Sequence, residues 1–112
     1  MARGEPTTIF GDGGQTRDFV FVGDVVDALL AAAAHDGGIF NVGSGRETSV
    51  LELHQACADV VGTAAEPRLE PARLGDVLRS VLDVSRADRE LGFRASTPLA
   101  DGLRATYAWL TQ

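Results

Sequence analysis

The chain reads as an α/β protein, and three observations predict it. Two short β-type runs, Thr7-Thr8-Ile9-Phe10 and Ile39-Phe40-Asn41-Val42, each lead into a glycine turn. Beyond each turn comes a segment whose apolar residues recur at helical spacing. Helix start and stop signals bracket those segments, so strands, tight turns and capped helices follow one another as they do in α/β layers.

Taken in order, residues 1–6 are a polar lead-in ending at Pro6. Gly11, Gly13 and Gly14 surround Asp12 in a tight turn with access to positive φ. Gln15-Thr16-Arg17-Asp18 is polar and able to point into a cleft. Phe19-Val20-Phe21-Val22, aromatic and β-branched, predicts a buried strand. A helix is expected from Asp24, with Val25, Val26, Leu29, Leu30 and Ala33 on its apolar face, ending near Gly37-Gly38. Asp24 and Asp27 lie in its first turn, where carboxylates favour the helix dipole.

Ile39 to Val42 is the next expected strand, closed by Gly43-Ser44-Gly45. Ser49 with Glu52 is a capping box for a helix that carries Val50, Leu53, Cys57 and Val60 on one face and stops at Gly62. Pro67 to Pro71 is an edge strand limited by its prolines. Ala72 to Val81 is irregular, with a turn at Gly75. Ser85 with Asp88 is a second capping-box pair, before a short helix ending at Gly92. Thr97-Pro98 places a cap before a proline at the first helical position. Leu99, Leu103, Thr106, Tyr107 and Leu110 then mark a final amphipathic helix.

Composition bounds the function. A chain of 112 residues is one domain at most, and an apolar fraction of 45% is that of a folded protein. No apolar run reaches the roughly 18 residues a membrane helix needs, so no membrane partner is expected. Met1 to Pro6 lacks an apolar core, so no signal peptide is expected and the cytoplasm is the expected compartment. The single cysteine, Cys57, excludes an internal disulfide and a cysteine metal cluster. The net charge of −6 argues against a nucleic-acid partner but leaves room for a small anion held by a local arginine cluster. All ten basic residues are arginine, and there is no lysine.

Arg17 is the first candidate. A guanidinium between a glycine turn and a buried strand stands on a rigid base, and its planar fork suits phosphate oxygens. The competing reading pairs Arg17 with Asp18 or Asp24 on the surface. Gly43-Ser44-Gly45 is a weak dinucleotide signal, because the third glycine of G-x-G-x-x-G would fall on Thr48. Ser44 is not in a nucleophile elbow, since Val42 and Arg46 stand where glycines would be. His35 and His54 lack zinc-site spacing, and His54 and Cys57 read as structural.

Three stretches carry a resemblance. Gly11 to Val26, Phe40 to Gly62 and Pro71 to Leu110 resemble, in the same order, the C-terminal part of the NAD-dependent nucleotide-sugar epimerase/dehydratase family, the extended short-chain dehydrogenases. The resemblance is greatest to members acting as UDP-glucose 4-epimerases. It implies an α/β fold that is the C-terminal substrate-binding portion of a Rossmann-type extended short-chain dehydrogenase, lacking the N-terminal dinucleotide-binding half. Residues 1–112 would then be a single partial domain, the nucleotide-sugar-binding C-terminal region.

The same resemblance implies the chemistry. Such enzymes take a hydride from the sugar C4 onto NAD, and a Tyr-x-x-x-Lys pair moves the hydroxyl proton. Here Tyr107 is the sole tyrosine and lysine is absent, so no catalytic, cofactor-binding or metal residue is assigned, and NAD would be bound by the missing N-terminal half. Arg17 matches the arginine of the family's Thr-Arg-Asp motif, which reaches the substrate diphosphate. Arg73 matches the arginine of the Arg-x-Gly-Asp stretch, which also grips the diphosphate, and Asp76 its aspartate, which holds the substrate. Leu74 stands where the family usually has proline. The implied partner is a nucleotide sugar, a UDP-sugar above others, with a possible Rossmann partner half and self-association through exposed apolar surface. The implied reaction is 4-epimerisation; the alternatives are a 4,6-dehydratase or reductase of the same family, or a non-catalytic nucleotide-sugar-binding module.

Overall fold

β1 (Thr8–Phe10) lies parallel to β4 (Arg68–Glu70), with Thr8 opposite Arg68 and Phe10 opposite Glu70. The computed structural model describes residues 1–112. Parallel strands need a long crossover. Here it contains β2 (Thr16–Arg17), α1 (Val22–Ala33), β3 (Thr48–Ser49) and α2 (Val50–Val61), and β2 pairs antiparallel with β3. After β4 come α3 (Ser85–Leu91) and α4 (Leu99–Leu110).

This architecture corrects the fold expectation. The chain was expected to be a C-terminal substrate-binding portion lacking the dinucleotide-binding half. Instead β1, α1, β3, α2 and β4 alternate, so a Rossmann-like β-α-β core is present. The expectation rested on the resemblance to the family's C-terminal part and on a missing glycine motif. A ligand motif reports on a few amides, whereas topology depends on which distant strands pair.

Local signals account for the helix ends. In α2 the Ser49 hydroxyl accepts from the Glu52 N–H, and the Glu52 carboxylate accepts from the Ser49 N–H. Gly62 and Gly92 end α2 and α3 in the left-handed conformation. Two capping expectations fail. Ser85 lies inside α3, whose N-cap is Val84, and α4 is capped by Pro98 with no side-chain bond. Thr97 serves the fold differently: its N–H and hydroxyl donate to the two oxygens of Asp24, at 3.1 and 3.0 Å. Those two bonds are how Asp24, in the first turn of α1, is buried with both oxygens hydrogen-bonded.

Phe19 to Phe21 and Ile39 to Val42 form no ladder, although both were expected to be strands. Phe21 instead packs against Gly102, and Phe19 and Phe21 line an open apolar groove of about 670 Å³ with Leu99, Leu103 and Trp109. The expected apolar face of α1 is also not a core face. Val26, Leu29 and Leu30 are exposed, and Ala28 is the buried apolar side chain of that helix. The chain is a layer 16 Å thick and 47 Å long, with a radius of gyration of 16.2 Å. A compact chain of this length has about 13 Å. Only eight of 112 residues are buried, led by Ile9, Ala28, Ala58 and Ala87. No helix is long and apolar enough to cross a membrane.

Candidate functional site

Arg73, Leu74, Gly75 and Asp76 form one tight turn. The Asp76 N–H donates to the Arg73 carbonyl at 3.2 Å, and Gly75, at the third position, has φ +80°. A type II turn needs positive φ there, which glycine adopts freely. Fully exposed Leu74 occupies the position where proline would preset the turn. The ends of such a turn lie within about 7 Å, so Arg73 and Asp76 belong to one small surface.

That turn is joined to β2. Arg17 Nη2 donates to Asp76 Oδ1 at 2.7 Å, while Nη1 donates to the Thr16 and Val77 carbonyls at 2.6 and 2.7 Å. Nε–H and the second Nη2–H of Arg17 have no protein partner. Both side chains of the Arg17–Asp76 pair remain about one-third exposed. The structure therefore brings Arg17 and Asp76 into contact and sets Arg73 one turn away. Arg73 has no carboxylate partner; its guanidinium lies 3.9 Å from the centre of the Phe10 ring, a cation–π contact that holds a charge without neutralising it.

Neither carboxylate suggested as a surface partner for Arg17 takes that role. Asp24 binds Thr97. Asp18 turns the other way: Oδ1 accepts from the Ser44 N–H and hydroxyl, and Oδ2 from the Gly45 and Leu82 N–H groups. Burial raises the Asp18 pKa, but the bonds from Ser44, Gly45 and Leu82 outweigh it, so the carboxyl lies below its ordinary value. The Asp18 carboxylate fills the glycine turn so closely that a Cβ on Gly43 would meet Oδ2 at 2.7 Å.

The same bonds close this glycine turn to a dinucleotide. The amides of Ser44 and Gly45 are occupied by Asp18, and the first turn of α2 is closed by its own capping box. No free cradle of N–H groups remains for a pyrophosphate at the Gly43–Gly45 turn or at the start of α2.

Two residues of this region carried no sequence signal. Glu47 accepts from Arg79 Nε at 2.9 Å and Nη2 at 2.6 Å, and from the Thr16 hydroxyl at 2.7 Å. The Arg79 guanidinium, with Thr16 assisting, brings the Glu47 carboxyl down to about 2. Glu47 and Arg79 are 32 positions apart, and neither belongs to a motif, so only the fold joins them. Among the remaining candidates, burial pushes the Cys57 thiol up, away from reactivity. His54 Nε2 is shielded without a partner. No group of three His, Cys, Asp or Glu residues is placed to hold a metal.

Known proteins resemble the chain over nearly its whole length. Residues 1–43, which hold β1, β2 and α1, match the NAD dependent epimerase/dehydratase family, the second finding against a chain without that fold. A UDP-glucose 4-epimerase of Mycolicibacterium smegmatis is 52% identical over 108 residues, covering 95% of this chain and 34% of that protein. A crystal structure of UDP-glucose 4-epimerase from Thermotoga maritima with UDP-glucose superposes with a TM-score of 0.94 at 41% identity, over 99% of this chain and 36% of that one. MoeE5 in complex with UDP-glucuronic acid and NAD gives 0.88 at 41% identity, over 97% and 38%. The chain thus spans about a third of the length of the relatives it matches. By sequence and by fold, it belongs to the NAD-dependent nucleotide-sugar epimerase/dehydratase superfamily.

Proposed function

We propose that this chain supplies the nucleotide-sugar clamp of an NAD-dependent epimerase of the UDP-glucose/UDP-galactose 4-epimerase kind. The observation that carries the reading is the turn Arg73–Asp76 docked on Arg17. It gathers two guanidinium groups and one carboxylate on a small, open surface. Arg17 offers its free Nε–H and Nη2–H to one phosphate group, and Arg73, unpaired on its Phe10 platform, meets the other. Asp76 Oδ2 has no protein donor and accepts a ribose hydroxyl. The contribution of these residues is binding and orientation, which places the sugar for reaction. NAD is the cofactor of the whole enzyme in this reading, and no residue of this chain is assigned to it.

Asp76 has two opposed effects. Its charge occupies part of Arg17, yet its second oxygen serves the ribose. Titration calorimetry separates them. UDP is expected to bind without NAD, and Asp76→Asn to weaken it less than loss of either arginine, because an amide oxygen still accepts. Inorganic pyrophosphate has no ribose, so Asp76→Asn should leave its binding unchanged or tighter. Absence of any UDP binding, or equal weakening of both ligands by Asp76→Asn, contradicts the clamp.

We also infer that the chain self-associates. Val22, Val26, Leu29 and Leu30 form an exposed stripe on α1, and the groove beside α4 is apolar. Surfaces of that kind drive association. Sedimentation velocity should show a concentration-dependent increase in mass, and a monodisperse monomer with a cooperative, high melting point would refute it.

A further inference from the structure

Residues 71–83 carry Arg73 and Asp76 but form no helix or strand, and every one of them is exposed. Leu74, Val77 and Leu78 are more than half exposed, so hydrophobic packing does little to set the path of the segment around Asp76. Polar ties to residues 16–18 set it. The Thr16 N–H donates to the Leu78 carbonyl, Arg17 holds Asp76 and the Val77 carbonyl, and the Leu82 N–H reaches Asp18. Two further ties come from other loops: the Asn41 side-chain amide donates to the Asp83 carbonyl, and Arg79 makes a two-pronged pair with Glu47, itself anchored to the Thr16 hydroxyl. Of the side-chain ties from guanidinium groups, those of Arg17 are the ones an anion would contest. The Glu47–Arg79 tie is independent of Arg17, and its planar fork fixes direction as well as distance.

We propose that Glu47 and Arg79 are positioning residues for the nucleotide-diphosphate site, holding the Arg73–Asp76 turn against β2 while the ligand occupies Arg17. This rests on the clamp reading above. Arg79 touches no ligand in it, and Glu47 acts only through Arg79 and Thr16. Chain order supports the assignment, since Arg79 lies three residues beyond Asp76 and Glu47 next to Thr48, the partner of Arg17 in the β2–β3 ladder. The pair therefore connects the segment that carries Arg73 and Asp76 to the β2–β3 ladder that carries Arg17.

The test is titration of UDP into the 112-residue protein and its variants. Arg79→Ala is expected to weaken UDP binding about tenfold, and to cost clearly less once Arg73 has been replaced by alanine, because residues acting through one turn are not additive. Glu47→Gln should weaken binding as well. That sign is decisive: were Arg79 itself a phosphate ligand, releasing it from Glu47 would strengthen binding, and a tighter Glu47→Gln variant overturns the proposal. Equal losses from Arg79→Ala with and without Arg73 also overturn it, since a general effect on folding or a direct contact ignores Arg73. Arg73→Ala weakening UDP while Arg79→Ala is silent removes this proposal and leaves the clamp standing. If Arg73→Ala is silent, or the unmodified chain binds no UDP, the clamp fails and this proposal with it. Arg79→Lys keeps the charge without the fork and should recover only part of the affinity.

Discussion

Incubation of the 112-residue chain with NAD and UDP-galactose is expected to give no UDP-glucose above background. The proton transfer in this family, as the resemblance implies it, uses a tyrosine whose acidity is raised by a lysine four positions on. The chain has one tyrosine, Tyr107 in α4, and no lysine. Thr111 stands four positions beyond Tyr107, so the charged partner of that pair is absent. The Ser44 and Gly45 amides are taken by Asp18, so that turn offers the cofactor no pyrophosphate cradle either. The measurement is a coupled assay for UDP-glucose with a full-length epimerase as positive control. Turnover that scales with the amount of chain would show that these residues suffice, and would refute the assignment of this chain to binding alone.

The second large effect concerns the two arginines. A hydrogen bond to a charged group contributes about 1.5–3 kcal/mol, so Arg17→Ala and Arg73→Ala should each weaken UDP binding roughly ten- to a hundredfold at about 1.4 kcal/mol per decade. Arg17→Ala is expected to be the worse of the two. It removes a phosphate contact and also releases Asp76 and the Val77 carbonyl, loosening the segment that carries Arg73. Arg73→Ala leaves those ties intact and uncovers only the Phe10 ring. Arg17→Lys should not restore affinity, because an ammonium group cannot hold two carbonyls and a carboxylate in one plane while meeting a phosphate. Arg46→Ala is the control: its side chain is exposed and makes no ion pair. Calorimetry of the four variants decides the matter. If Arg46→Ala costs as much as the others, the ligand responds to diffuse positive charge, and no clamp exists.

What the sequence determined by itself is local. The capping box of Ser49 and Glu52, the glycine stops at Gly62 and Gly92, the turn at Gly75 and the span of α2 all depend on residues within a few positions of one another. Hydrogen bonds of that range need no distant partner, so they can be read off the chain, except where tertiary contacts draw the side chain elsewhere, as Asp24 draws Thr97. The tertiary structure decided the rest. Phe19 to Phe21 and Ile39 to Val42 have strand-forming side chains, but a strand exists only with a partner, and none pairs with them. The parallel pairing of β1 with β4 set the alternating core that a missing glycine motif seemed to exclude. Arg17 reaches across 59 positions to Asp76, past the nearer carboxylates Asp18 and Asp24, because those are already satisfied by Ser44, Gly45 and Thr97. Glu47 and Arg79 meet across 32 positions without any motif to announce them. A charge takes the partner that the folded backbone brings within hydrogen-bond reach, and proximity in the chain does not determine that reach.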